Sequence, residues 1–363
     1  MNIKYFLGFV GVVFTALFVY SCSSDSDEYI AIDPVSPVIV DLTQVPYANL
    51  SQYKFFEGAM KNQKPSVGVL PYKPISELFT DYALKKRFVW MPKGAKASYV
   101  ADGELLNFPT GAVLIKNFYY NNVQPGNVTR IIETRVMIKK ESGWIFAEYV
   151  WNDQQTEATL QMDGSFTPIS WIDGAGATKS TSYRIPSEVE CLICHKTVTN
   201  PVPIGTKPQN LNSDYPFVEG TKNQLAKWIE KGYLNASIPS EIEAVVDYKD
   251  VSKSLDLRVR SYVDINCAHC HKTDSHCDYR PMRFAFSESH IPQNMGICVP
   301  PDEIINSSLT TIVSPSNIER SMMHFRMNTT SEEVRMPIVG RTMIHQEGVE
   351  LIEQWINSLS PCN

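Results

Sequence analysis

Two five-residue runs constrain this chain more than anything else in it: Cys191-Leu192-Ile193-Cys194-His195 and Cys267-Ala268-His269-Cys270-His271. Each reads C-x-x-C-H. Two thiols three positions apart on one helical turn reach the same edge of a flat macrocycle, and the histidine that follows lies beneath its metal. That is the attachment pattern for a c-type haem. The pair of runs implies two covalently bound haem c groups, with Cys191, Cys194, Cys267 and Cys270 as attachment points and His195 and His271 as iron ligands. Competing readings are a zinc site built from two knuckles, a pair of disulfides, or a thioredoxin-like redox pair. Zinc knuckles usually lie closer in sequence and need no histidine after the second cysteine, and no βαβ pattern surrounds either run.

The first 22 residues speak to compartment. Lys4 gives a minimal positive start, Phe6 to Val19 is a short run without charge, and Val19-Tyr20-Ser21-Cys22 closes it. The run reads as an export signal rather than a membrane span. It resembles a bacterial lipoprotein signal over residues 1–21, with Cys22 as the lipidated first residue of the mature chain. Tyr20 is bulky where that signal has a small residue, so an uncleaved N-terminal anchor is the alternative. The polar, acidic Ser23-Ser24-Asp25-Ser26-Asp27-Glu28 opens a flexible tether over 22–45. It also resembles the tag that directs some Bacteroidetes-type lipoproteins to the cell surface. The expected location is the outer membrane, facing the periplasm or the cell exterior.

The net charge of −6 offers no basic footprint for nucleic acid. Of eight cysteines, four are assigned to haem and one to lipid. Cys277, Cys298 and Cys362 remain; Cys277 and Cys298 could close a loop beside the second run, but sequence does not fix which pair forms.

Periodicity then divides the chain. From Leu78 to Trp171 it reads as strands: Arg87-Phe88-Val89-Trp90, Ala112 to Lys116, Ile132 to Lys139, Trp144 to Trp151 and Thr159 to Met162. Glu133 and Arg135 share one face while Thr134, Val136 and Ile138 share the other. From Pro186 onward Glu188 to His195 leads into the first motif, a Pro- and Asn-rich loop follows, and helices are expected over Asn223 to Leu234, Ser254 to Asn266 and Gln346 to Leu359. The fold class that follows is a multi-domain α+β protein. An antiparallel β sandwich or barrel-like domain (46–185) would precede mostly α-helical cytochrome c-like domains, the first haem segment at 186–248 and the second at 249–363.

A haem iron takes a second axial ligand or leaves that side open. For the second motif, Arg335-Met336-Pro337 lies between the motif and the last helix, and proline restricts the backbone of Met336. Met336 is therefore the expected sixth ligand, with Met322, Met323 and Met327 in reserve. The first motif has no comparable partner nearby. Met137, Met162, His290, Met295 and His324 stay open as candidates, as does a five-coordinate iron. His269 cannot reach its own iron and reads as a solvated or hydrogen-bonded side chain. Trp90, Trp144, Trp151 and Trp171 read as packing residues.

The chain resembles a family of exported bacterial dihaem c-type cytochromes. The resemblance rests on Leu78 to Phe88, Glu133-Thr134-Arg135, Tyr149 to Asp153, Ile185-Pro186, Asn266 to His271, Arg335-Met336-Pro337 and the Trp355-Ile356 helix. It implies a β-rich N-terminal region, two haems and export, but no substrate. The expected activity is single-electron transfer between redox protein partners, with the lipid as the membrane attachment. The alternatives are a dihaem peroxidase or oxidase with an open first haem, and a haem-containing ligand-binding or sensing lipoprotein.

Overall fold

Alternating burial along the strand-rich region builds a single antiparallel sheet. In order of pairing it runs β1 (Leu70–Tyr72), β2 (Leu84–Trp90), β3 (Val113–Val123), β4 (Val128–Lys140), β5 (Gly143–Trp151) and β6 (Ala158–Leu160). The hairpin of β7 (Ser165–Ile172) and β8 (Thr178–Ile185) joins it where Val123 meets Trp171. The computed structural model describes residues 35–198 and 200–362. The signal, Cys22 and the acidic start of the tether lie outside the described residues. From Ser36 onward the chain forms one unit.

Both faces of the sheet are covered. On one, Val136, Ile138, Val113, Ile115 and Tyr149 pack beneath Tyr47, Leu50, Tyr53 and Phe55 of the N-terminal segment. On the other, Leu114, Met137 and Trp144 pack against Leu225 and Trp228 of α3 (Gln224–Glu230). The sandwich or barrel is therefore corrected to one eight-stranded sheet. Loops and one short helix supply the cover that a second sheet would give. Trp90, Trp144, Trp151 and Trp171 are all buried in these layers.

The expectation of mostly α-helical haem domains also fails. Strand accounts for 25% of the described residues and helix for 19%. The described residues hold six α-helices: α1 (Glu188–Cys194), α2 (Pro208–Leu211), α3, α4 (Leu255–Asn266), α5 (Met322–Met327) and α6 (Gln346–Ser358). Among them no helix is long and apolar enough to cross a membrane. Between α4 and α5 only short 3-10 turns form. Pro281, Pro292, Pro300, Pro301 and Pro315 interrupt that stretch, each removing a backbone donor and disfavouring helix before it. Side chains take over the backbone's hydrogen bonding. The Arg283 guanidinium donates to the carbonyls of Asp278, Arg280 and Met282. Cys298 is bonded to Cys362, leaving Cys277 a free buried thiol. The loop-closing pair considered for Cys277 and Cys298 is thereby corrected.

Candidate functional site

The first motif is delivered by a capped helix one turn beyond the sheet. β8 ends at Ile185, and Ser187 caps α1: its Oγ accepts from Glu190 N–H at 3.4 Å while the Glu190 carboxylate accepts from Ser187 N–H at 2.7 Å. Arg184 holds the same carboxylate at 2.6 Å. The helix stops at His195, whose Nδ1 lies 2.9 Å from Val202 O. A carbonyl only accepts, so Nδ1 carries the proton and Nε2 is left as the free donor atom, the state a metal ligand needs. The ring of Phe146 on β5 stands edge-on to the imidazole, centroids 5.2 Å apart. Burial drives the His195 pKa down to about 3, so the ring is neutral.

Beside Cys191 lies a buried charged group from the sheet. Glu133, fully buried, accepts two hydrogen bonds from Arg135 at 2.6 and 3.0 Å and one from Tyr183 Oη at 2.6 Å. Burial pushes its carboxyl up, but Arg135 and these bonds hold it below the ordinary range. Its neighbour Glu148 goes the other way. Burial and the Glu133 charge hold it well above the ordinary range, with Oε1 lacking a hydrogen-bond partner. Its Oε2 is 4.0 Å from Cys191 Sγ.

The second motif follows α4, capped by Ser254 and ending at Cys267. Asp264 on that helix accepts from Lys207, Gln209, Asn210 and the Phe286 N–H, tying the helix to the segment after the first motif. Cys267, Cys270 and His271 line a cavity of about 300 Å³, within the range of cofactor sites. Burial lowers the His271 pKa to about 4, and its Nδ1 has no hydrogen-bond partner. Met336 lines the same cavity, together with Met322, Met323 and Met327. The Met336 backbone is fixed on both sides: its N–H donates to Arg326 O at 2.8 Å and its carbonyl accepts from Arg341 Nε at 3.0 Å.

The two motifs meet. Cys194 Sγ and Cys270 Sγ are 4.0 Å apart across 76 positions of sequence. His269 joins them, all three donor atoms lying within 4.8 Å of one another. Its Nδ1 is buried without a hydrogen bond, although the residue as a whole is half-buried. This trio could hold a single divalent ion, but it takes one thiol from each motif and leaves both motif histidines out. Four thiols, two neutral histidines and, at the second motif, a methionine-lined cavity are the donors that haem c groups would use there.

The remaining ligand candidates are scattered. Met137 stands opposite Phe146 across β4 and β5, and Met162 Sδ accepts the Glu148 N–H at 3.4 Å. Met295 is in the core around α4 and α6, His290 is exposed, and His324 is held by Glu353 at 2.7 Å.

Sequence reasoning missed the wall that the strand-rich half lends to the second cavity. Phe79 lines it, stacked on His345 at 4.1 Å, with its N–H bound to Asn266 Oδ1 at 2.8 Å. Buried Asp81 accepts from Thr342 N–H, Thr342 Oγ1 and Met343 N–H at 2.7 to 2.8 Å. Its only sequence signal was its place in Leu78-Phe79-Thr80-Asp81-Tyr82, quoted as a resemblance without a role. Arg341, which donates to four backbone carbonyls around Met336, gave none. No protein-family pattern, curated protein or solved structure matches this chain.

Proposed function

We propose that this chain is an exported dihaem c-type cytochrome that passes single electrons between redox protein partners. One observation carries the reading. Two C-x-x-C-H motifs far apart in sequence fold against each other, Cys194 against Cys270, each followed by a histidine that burial keeps neutral. When bound, haem supplies the one-electron chemistry. The chain's part is attachment through Cys191, Cys194, Cys267 and Cys270, ligation through His195 and His271, and shielding. Met336 is the sixth ligand at the second site; its pinned backbone and place in the His271 cavity support that role. Thioether ligation favours the reduced state relative to a second histidine. The lipidated Cys22 would hold the protein at the outer membrane, and Cys22→Ala would release it into the soluble fraction.

A second reading is an enzyme, a dihaem peroxidase or oxidase working at the first site. Glu148 favours it: a buried carboxyl pushed well above the ordinary range, 4.0 Å from Cys191 Sγ, is placed to give or take a proton at that site. Optical and resonance Raman spectra of protein matured with the haem c machinery separate the two. Two six-coordinate haems per chain, neither taking carbon monoxide when reduced, support the carrier. One five-coordinate haem that takes it up supports the enzyme. Bound zinc and no haem would overturn both.

A further inference from the structure

One row of charged side chains crosses four strands on the sheet face beside the first motif. Arg87 on β2 stands opposite Lys116 on β3, Lys116 opposite Arg135 on β4, and Arg135 opposite Glu148 on β5. Lys85 lies two residues before Arg87, on the same face. Lys85, Lys116 and Arg135 gather around the buried ring of Phe118, at 5.8, 4.7 and 4.4 Å from its centre. Like charges placed directly opposite in a sheet repel, so this row needs anions.

The anions present do not cover it. Arg87 pairs with Glu77 at 3.3 Å and Arg135 with Glu133 at 2.6 Å. Glu148, at the row's acidic end, lies 4.0 Å from Arg135 Nε, and burial with the Glu133 charge pushes its carboxyl well above the ordinary range. Lys85 Nζ donates to Ala83 O at 2.8 Å. Lys116 has the Phe118 ring and, among the described residues, no carboxylate. Both lysines retain open surface, yet burial is the first cause of their lowered basicity, Lys85 falling to about 7. The row adjoins the first motif: Glu148 Oε2 at its end lies 4.0 Å from Cys191 Sγ, and Phe146, on the same face of β5, packs on the His195 ring.

We propose that Lys116, with Lys85 beside it, binds the carboxylate side chains of the cofactor held by the first motif. The inference rests on the haem reading. Haem carries two propionates, and an ammonium that no carboxylate pairs can hold such a group through a charge-assisted hydrogen bond. A free oxyanion from solution offers the same chemistry, and the test separates the two sources.

The experiment uses the full, haem-loaded chain and compares wild type with Lys116→Met and Lys116→Arg. Haem per chain, the propionate bending bands in the resonance Raman spectrum and both reduction potentials are measured. Lys116→Met should keep two haems, shift the propionate band of one, and lower the potential of that haem alone, since a lost cation favours the ferric form. Lys116→Arg should restore both readouts. Unchanged bands and potentials with two haems attached would sink the proposal and leave the haem reading standing. A wild-type chain carrying no haem would sink both. A wild-type potential that responds to added inorganic phosphate, with the response lost in Lys116→Met, would assign the site to a free anion and overturn the propionate assignment. Should Lys116→Met not accumulate, Lys85→Met carries the same readouts.

Discussion

The two C-x-x-C-H sites touch through Cys194 and Cys270, yet they are built from opposite materials. The first lies on a sheet face that presents Lys116, Arg135 and Glu148 in register. The second lies in a cavity walled by loops, α4 and α5, with five methionines beside Phe79, Tyr262 and Phe284. A pentapeptide fixes attachment and the proximal ligand and nothing else; the other half of each site comes from distant chain. Two groups bound in such different surroundings would differ in potential.

That contrast can be broken outright. Cys191→Ala and Cys267→Ala should each cut haem from two to one per chain, read as pyridine haemochrome absorbance against protein. The single haems left behind should then differ in potential; identical titrations would mean the surroundings are equivalent. Next in size is Arg135→Met, which leaves Glu133 buried without its cation and should cost about 3–5 kcal/mol in urea unfolding. A loss below about 1 kcal/mol would show that the charges under the first site are solvent-screened instead. Smaller again, Met336→Ala should lower the potential of the second-site haem and leave the other unmoved. If neither moves, one of Met322, Met323 and Met327 is the ligand.

The smallest effect is a pH dependence belonging to the second site. Burial holds the His345 pKa down to about 4, against about 6.5 for a free histidine. Between those values the unfolded chain takes up a proton that the folded chain refuses. Stability is therefore full above about 6.5 and falls as pH drops toward 4. His345→Phe keeps the stack on Phe79 and should shrink the drop in urea midpoint between pH 7 and pH 5.

What sequence made legible was local. The alternation around Val136 sorted the two faces of β4, and the expected bounds of α4 and α6, the latter from its apolar spacing, fall within a residue of their observed ends. The motif cysteines stand out by their spacing, but that spacing does not say that Cys194 would meet Cys270. The helical haem domains were not real, because a motif that resembles a cytochrome says nothing about the prolines between Pro281 and Pro315. The Cys298–Cys362 bond, the clasp of Asp81 on Thr342 and the row at Lys116 were invisible for a common reason. Each depends on residues that only the closed fold brings together, and periodicity carries no information about that.

Asp81 and Phe79 have a consequence for inheritance. A fragment starting at residue 249 would keep Cys267, Cys270, His271 and Met336. It would lose the aromatic plate under His345 and the carboxylate that anchors the backbone of Thr342 and Met343. The second site is therefore not a cassette that could be shuffled between genes by itself. The sheet has to travel with it, and a recombination junction between the two would separate a pocket from its own wall.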